Sequence, residues 1–192
     1  MDKEKFKNIL ENDGVIAFVT DTVWGLGCLP NSKKAVEKIY EIKHRDIKKP
    51  LILMSDDVKP LLKYVKPLSE KANELIEKHF PGALTLVVEK SENTPDYITS
   101  GMSTVGIRVP NNKVFAEICK TIDGHVLATT SANLSSFLPA LTYAQAVEYI
   151  GDKVDFVVED YGEKAQGHAS TVVGVLSDGL KIFRQGDVVV EV

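Results

Sequence analysis

Val15-Ile16-Ala17-Phe18-Val19, running directly into Thr20-Asp21-Thr22-Val23-Trp24-Gly25-Leu26-Gly27, is the stretch that decides the fold. A continuous apolar run followed by turn-forming residues is the pattern of a strand buried on both faces, as in α/β sheets. Before it, residues 2–12 read as a helix with Phe6, Ile9 and Leu10 on one face, ended by Gly14. After it, residues 20–30 read as a loop. Helical and extended patterns then alternate. Residues 32–43, 69–80, 113–121 and 142–150 carry helical spacing, while residues 51–54, 84–88, 104–109 and 125–129 read as strands. Thr142-Tyr143-Ala144-Gln145 matches a capping box and starts the last helix. The end of the chain is different: residues 156–158, 171–175, 181–183 and 188–190 look like strands, and Ser177-Asp178-Gly179 is a hairpin signal. This order predicts an α/β fold, a single domain over residues 1–192 with flanking helices on a twisted mixed parallel/antiparallel sheet. The polar, aperiodic stretches 91–103 and 159–168 are the expected mobile loops.

The composition narrows the function classes. With 44% hydrophobic and 26% charged residues in 192, the chain is globular rather than disordered or fibrous. No apolar run approaches the ~18 residues of a membrane span, and the charged opening Met1-Asp2-Lys3-Glu4-Lys5 has no signal-peptide core. Cys28 and Cys119 lack CxxC spacing, which argues against a disulfide framework or a zinc site and for a cytoplasmic setting. The net charge of −4 excludes a globally basic nucleic-acid binder. Yet residues 33–49 hold seven Lys/Arg against three Asp/Glu, a local +4, which leaves −8 for the remainder. A basic segment in an acidic chain suits a pocket for a small anion better than a long phosphate track. It is equally the pattern of a solvated helix face.

Several segments could carry chemistry, each with a plain structural alternative. In residues 20–27 the glycines would allow close approach to a ligand or a positive φ, or simply build a turn. They form neither GxGxxG, since Pro30 stands three positions after Gly27, nor a P-loop. Lys43-His44-Arg45 with Lys48-Lys49-Pro50 places cations at a helix C-terminus, either as dipole partners or as a polyphosphate grip formed by Lys43 and Arg45. Thr129-Thr130-Ser131-Ala132-Asn133, past a strand, is the type of hydroxyl and amide cluster found in ligand crevices, or a self-satisfied turn. Arg108 lies inside an apolar strand and is either solvated or paired in a pocket. Arg184 ends a strand, and Ser170-Thr171 has β-propensity. There is no GxSxG, and His44, His79, His125 and His168 show no metal spacing, so neither a nucleophile triad nor a protein-held metal is expected.

Taken in order, these segments resemble the YrdC-like family, the threonylcarbamoyl-AMP synthases, over about residues 6–188. The matching strings are residues 20–27, Lys43-His44-Arg45 with Lys49-Pro50-Leu51, Pro81-Gly82-Ala83-Leu84-Thr85-Leu86, Val105-Gly106-Ile107-Arg108-Val109-Pro110, Ser131-Ala132-Asn133, Ser170-Thr171-Val172-Val173 and Phe183-Arg184-Gln185-Gly186. The resemblance implies a concave, basic cavity on the sheet. It implies condensation of L-threonine, bicarbonate or CO2, and ATP into threonylcarbamoyl-adenylate with release of pyrophosphate. Downstream proteins would pass the group to an adenosine beside the anticodon of tRNA. By the same resemblance Lys43 and Arg45 would be catalytic and, with Lys49, would bind the ATP phosphates. Thr104, Ser131, Asn133 and Arg184 would hold the nucleotide. Thr22, Arg108, Thr129 and Ser170 would surround L-threonine, with Arg108 at its carboxylate, and Mg²⁺ would be held mainly by phosphate oxygens. Four positions depart from the family strings: Val19 and Gln185 replace prolines, Trp24 a tyrosine and Ser136 a glycine. A positive φ is the expected reason for glycine at position 136. Two rivals remain: a non-catalytic module binding double-stranded RNA or tRNA, and a carbamoyl-adenylate activity like that of the YrdC-like part of hydrogenase-maturation carbamoyltransferases.

Overall fold

Nine strands form one sheet in the computed structural model, which describes residues 1–134 and 136–191. In chain order they are β1 Ile16–Phe18, β2 Gly25–Cys28, β3 Ile52–Ser55, β4 Leu84–Glu89, β5 Thr104–Arg108, β6 Val126–Ser131, β7 Phe156–Val157, β8 Thr171–Leu176 and β9 Gly179–Arg184. Their spatial order is β7-β1-β2-β6-β3-β5-β4-β8-β9. The pairs β1–β7, β3–β5 and β4–β8 are parallel and the other five antiparallel, so the sheet is mixed as expected. The helices are α1 Lys3–Glu11, α2 Lys33–Lys43, α3 Val58–Leu61, α4 Glu70–His79, α5 Asp96–Thr99, α6 Lys113–Cys119 and α7 Tyr143–Ile150.

The apolar run at the start explains the centre of the core. Ile16, Ala17 and Phe18 are wholly buried, and the Phe18 ring packs 5.1 Å from that of Phe115 on α6. Across the pairing register, Phe18 also decides β2, which sequence reading places in a loop. A Cβ at Gly25 or Gly27 would lie 2.8 Å from the Phe18 ring. Neither glycine has a positive φ. They are strand residues kept bare for an aromatic neighbour, which corrects the turn and positive-φ readings.

Other local expectations resolve similarly. Thr142 Oγ1 accepts from Gln145 N at 3.2 Å, and Gln145 Oε1 accepts from Leu141 N at 2.8 Å, closing the cap of α7. The β8–β9 hairpin turns through Ser177 and Asp178, and Gly179 at φ 118° supplies the backbone only glycine adopts freely. Residues 188–190 form no strand. Instead the chain folds back, with Val188 O accepting from Thr171 Oγ1 and Gln185 Nε2. The four-residue helices α3 and α5, the latter inside stretch 91–103, are too short to show a period. Both cysteines are free and buried, and burial pushes the Cys28 thiol up to about 12. Among the described residues, no helix is long and apolar enough to cross a membrane.

Candidate active site

One face of the sheet carries a cavity of about 330 Å³. Its walls draw residues from seven neighbouring strands, β2 to β9 in spatial order: Gly25, Thr129, Ile52, Arg108, Thr85, Val172 and Arg184. Arg45, Arg108 and Arg184, far apart in the chain, all line it. So do the hydroxyl residues Thr20, Thr22, Thr85, Thr129, Thr130, Ser131 and Ser170, and among the described residues no carboxylate does.

Arg108 is the best-fixed group. It ends β5 with 2% of its surface exposed. Nε donates to Gly82 O at 2.9 Å, Nη1 to Thr22 Oγ1 at 2.8 Å, and Nη2 pairs with the Asp21 carboxylate. Burial depresses its pKa, Asp21 opposes that, and Arg184 adds to the depression. The guanidinium remains a cation throughout. It has five N–H donors, so three used leave two for a ligand. The turn that brings Asp21 and Thr22 here is locked by Thr20 Oγ1, which donates to Val23 O at 2.6 Å. Gly82 sits where a Cβ would fall 2.6 Å from His79 O, so its carbonyl reaches Arg108 only because it is glycine.

Arg184 and Ser170 form a second unit. Arg184 Nε donates to Ser170 O at 2.9 Å and Nη2 to Ser170 Oγ at 3.2 Å, and Ser170 Oγ meets Thr85 Oγ1 at 2.8 Å. Arg45 follows the end of α2, where His44 adopts a left-handed conformation at φ 47° and turns the chain back. Its Nε and Nη2 donate to Lys49 O at 3.1 Å and Pro50 O at 3.0 Å. Burial lowers its pKa, and Tyr40 partly opposes this.

Four expected site residues are not brought to the cavity wall. Lys43 is 1% exposed and points beneath it, where Nζ donates to Ser131 O at 2.5 Å, Asn133 O at 2.7 Å and Asn133 Oδ1 at 2.7 Å. A buried ammonium needs acceptors, and this loop supplies them. Burial, then the charge of Arg45, lowers the Lys43 pKa to about 7. Asn133 is turned toward Lys43 and the Ser131 hydroxyl. Lys49 is exposed, with its carbonyl rather than its ammonium engaged by Arg45 and Tyr40. Thr104 pairs with Glu89 at the opposite end of β5 from Arg108. Thr22, Thr129, Ser131, Ser170 and the three arginines do line the cavity.

A family model described as Sua5/YciO/YrdC, telomere recombination, matches residues 8–186. The chain belongs to this family. A Buchnera aphidicola member named threonylcarbamoyl-AMP synthase is 38% identical over 145 residues, covering 74% of this chain and 82% of that protein. A Klebsiella pneumoniae protein of the same name is 33% identical over 180 residues, covering 93% and 92%. The crystal structure of P. abyssi Sua5 complexed with L-threonine superposes with a TM-score of 0.89 at 29% identity over 95% of this chain. This chain spans about half of that Sua5, 53% of its length.

As a Sua5/YciO/YrdC member the chain keeps its departures without losing the cavity. Ser136 has φ 73°, so a side chain occupies the left-handed backbone that glycine would take without strain. Trp24 lines the cavity and lies 6.0 Å from the Tyr143 ring. Gln185 Nε2 donates to Gly186 O at 2.7 Å and Val188 O at 2.9 Å, closing the final turn by hydrogen bonds. Val19 is wholly buried beside β1. Thr20 and Thr130 stand on the wall within segments that the sequence marked as candidates, whereas sequence reading missed Thr85. Thr85 was accessible, since it stands inside a matched string, but a threonine in a strand is more simply read as β-propensity.

Proposed function

We propose that the chain is a threonylcarbamoyl-AMP synthase, an ATP-using nucleotidyltransferase. The observation that carries the reading is the convergence of Arg45, Arg108 and Arg184 on one hydroxyl-lined cavity. The naming of the curated relatives and the L-threonine bound by P. abyssi Sua5 support it. The threonine amine adds to CO2 derived from bicarbonate, forming an N–C bond and releasing a proton. A carbamate oxygen then attacks the α-phosphorus of ATP, forming an O–P bond as the α–β bridging bond breaks and pyrophosphate leaves. Such chemistry needs alignment and cationic stabilisation rather than a covalent nucleophile.

In this reading Arg108 offers its two remaining N–H groups to the threonine carboxylate, with Thr22, Thr129 and Ser170 around the amino acid. Arg45 and Arg184 hold phosphate oxygens, and Ser131 meets the nucleotide. Lys43 and Asn133 act from beneath, holding the Ser131 loop in place, while Lys49 stands on the exposed approach. Mg²⁺ would be held mainly by the ATP phosphates, since the cavity lining among the described residues is hydroxyl and arginine without a carboxylate. The product would pass to threonylcarbamoyl-transfer proteins acting on tRNA, in the cytoplasm.

Pyrophosphate release from ATP, Mg²⁺ and bicarbonate should require L-threonine. Release indifferent to threonine would reject the amino-acid substrate. Absence of release together with salt-sensitive tRNA binding would favour an RNA-binding module instead.

A further inference from the structure

An amino acid reaches the cavity as an ammonium, and its nitrogen cannot attack CO2 until it has lost a proton. Among the described residues the wall is built of arginines, hydroxyls and apolar groups, with no carboxylate, imidazole, amine, thiol or phenol. Arginine keeps its proton, and an alcohol hydroxyl is too weak a base to strip an ammonium. The ionisable groups just behind the wall are committed: the Asp21 carboxylate to Arg108, and Lys43 Nζ to three oxygens. The wall can hold anions but cannot take up a proton.

Two histidines adjoin wall residues. His44 precedes Arg45, on the side read as gripping phosphate. His168 precedes Ala169 and Ser170, both on the wall, and follows Gly167, whose N donates to Thr22 O at 2.8 Å. Gln166 N donates to Asp21 O at 3.1 Å, so residues 166–170 run along the amino-acid side of the cavity. The His168 ring is fixed there, with Nδ1 2.9 and 3.1 Å from the two carboxylate oxygens of Asp187. A carboxylate only accepts, so Nδ1 carries the hydrogen and Nε2 keeps its lone pair. The backbones behind the pair are pressed together: a Cβ at Gly186 would fall 2.4 Å from Ala169 O. The two side chains are 71% and 53% exposed, so a proton taken up by the ring passes readily to water.

We propose that His168, oriented by Asp187, is the base that takes the proton from the threonine ammonium. The inference rests on the threonine reading above and adds the proton acceptor that the wall lacks. An ammonium N–H bond breaks, its electron pair stays on nitrogen, and the proton goes to Nε2 and then to solvent. The nitrogen pair forms the N–C bond to CO2. Bicarbonate yields that CO2 and a hydroxide, and the hydroxide takes the second proton, lost as the carbamate forms, and leaves as water. Imidazole exchanges a proton near neutral pH, which suits this step. The charged groups on the surrounding segments are Asp187, which holds the ring, Arg184, which is bonded to Ser170, and the Asp21–Arg108 pair. Asp187 is a positioning residue, since it acts only through the ring.

Threonine-dependent pyrophosphate release by the full chain is measured for the wild type, His168→Ala and Asp187→Ala over about pH 6.5–9.5, with and without free imidazole. Both positions are exposed, so the variants fold. At neutral pH His168→Ala should lower kcat about a hundredfold, the lower end for loss of a general base, with KM for threonine and ATP unchanged. The deficit should shrink as pH rises, because more of the free threonine has then already lost the proton. Free imidazole should restore turnover, since the vacated site is open to solvent. Asp187→Ala, which releases the ring without removing it, should lose less. A kcat that does not move in His168→Ala, a loss that neither pH nor imidazole repairs, or a rise in threonine KM alone overturns the proposal and leaves the threonine reading standing. A wild-type chain without threonine-dependent release overturns both.

Discussion

Lys43 and Arg108 are both buried cations next to the same cavity, and they are stabilised in opposite ways. Arg108 has a carboxylate, Asp21, against one edge of its guanidinium, with a carbonyl and a hydroxyl on the others. Lys43 has three oxygen acceptors and no carboxylate: two carbonyls and an amide. Dipoles satisfy hydrogen bonds without cancelling charge, so burial and Arg45 bring the lysine down to about 7. The difference separates a permanent cation, fit to meet a substrate carboxylate, from a proton-labile post beneath a loop.

The largest effect that tests this contrast is expected at Lys43. The folded chain holds the Lys43 proton less tightly than the unfolded chain, whose pKa is the ordinary 10.5. Unfolding therefore takes up a proton between about pH 7 and 10.5, and this group's contribution to stability rises with pH through that window. Each unit of displacement is worth roughly 1 kcal/mol or more. Denaturant titrations across pH 7–10 should show this slope in the wild type and lose it in Lys43→Met. An unchanged slope would mean that Lys43 stays charged as firmly as Arg108 does.

Asp21→Ala comes next. It strands the Arg108 charge, and breaking a buried pair typically costs about 3–5 kcal/mol. Urea unfolding should show a loss of that order, with Asp21→Asn milder because the hydrogen bond survives. A loss within experimental error would remove the counter-charge from the argument.

Arg45→Ala follows. It deletes a wall cation that has no carboxylate partner among the described residues, and ATP binding should weaken by about 1.5–3 kcal/mol. Nucleotide affinity that does not move in a folded variant would take Arg45 out of the site.

The smallest effect is at Ser136, on the loop that Lys43 supports. Ser136→Gly relieves a left-handed backbone and should stabilise by about 1 kcal/mol, a rise of roughly 2–4 °C in Tm. A lower Tm would show that the serine side chain contributes more than its backbone strain removes.

How far the sequence reaches depends on the range of the interaction. The buried run at residues 15–19, the cap at Thr142 and the Ser177-Asp178 hairpin are local signals, and each is found in place. Strand β2 was illegible because its two glycines answer to Phe18, a contact across the sheet that no window along the chain contains. The site divides the same way. Each arginine stands out locally, but their meeting depends on the registers β3–β5 and β8–β9, in which Met54 faces Arg108 and Val172 faces Arg184. Family resemblance supplied that convergence before coordinates did. It also set Lys43 among the phosphate ligands, because a string match records which residues occur together and not which way a side chain turns.

The Phe18 ring lying over Gly25 and Gly27 makes the order of mutations matter. Adding a methyl at either glycine while the ring is present creates a clash at 2.8 Å. Shrinking the ring first, Phe18→Leu, leaves a void that typically costs on the order of 1 kcal/mol or more, and the methyl can then move into it. A lineage would reach the alanine-bearing strand by one route far more readily than by the other, and a suppressor screen started from Gly27→Ala should return changes at position 18.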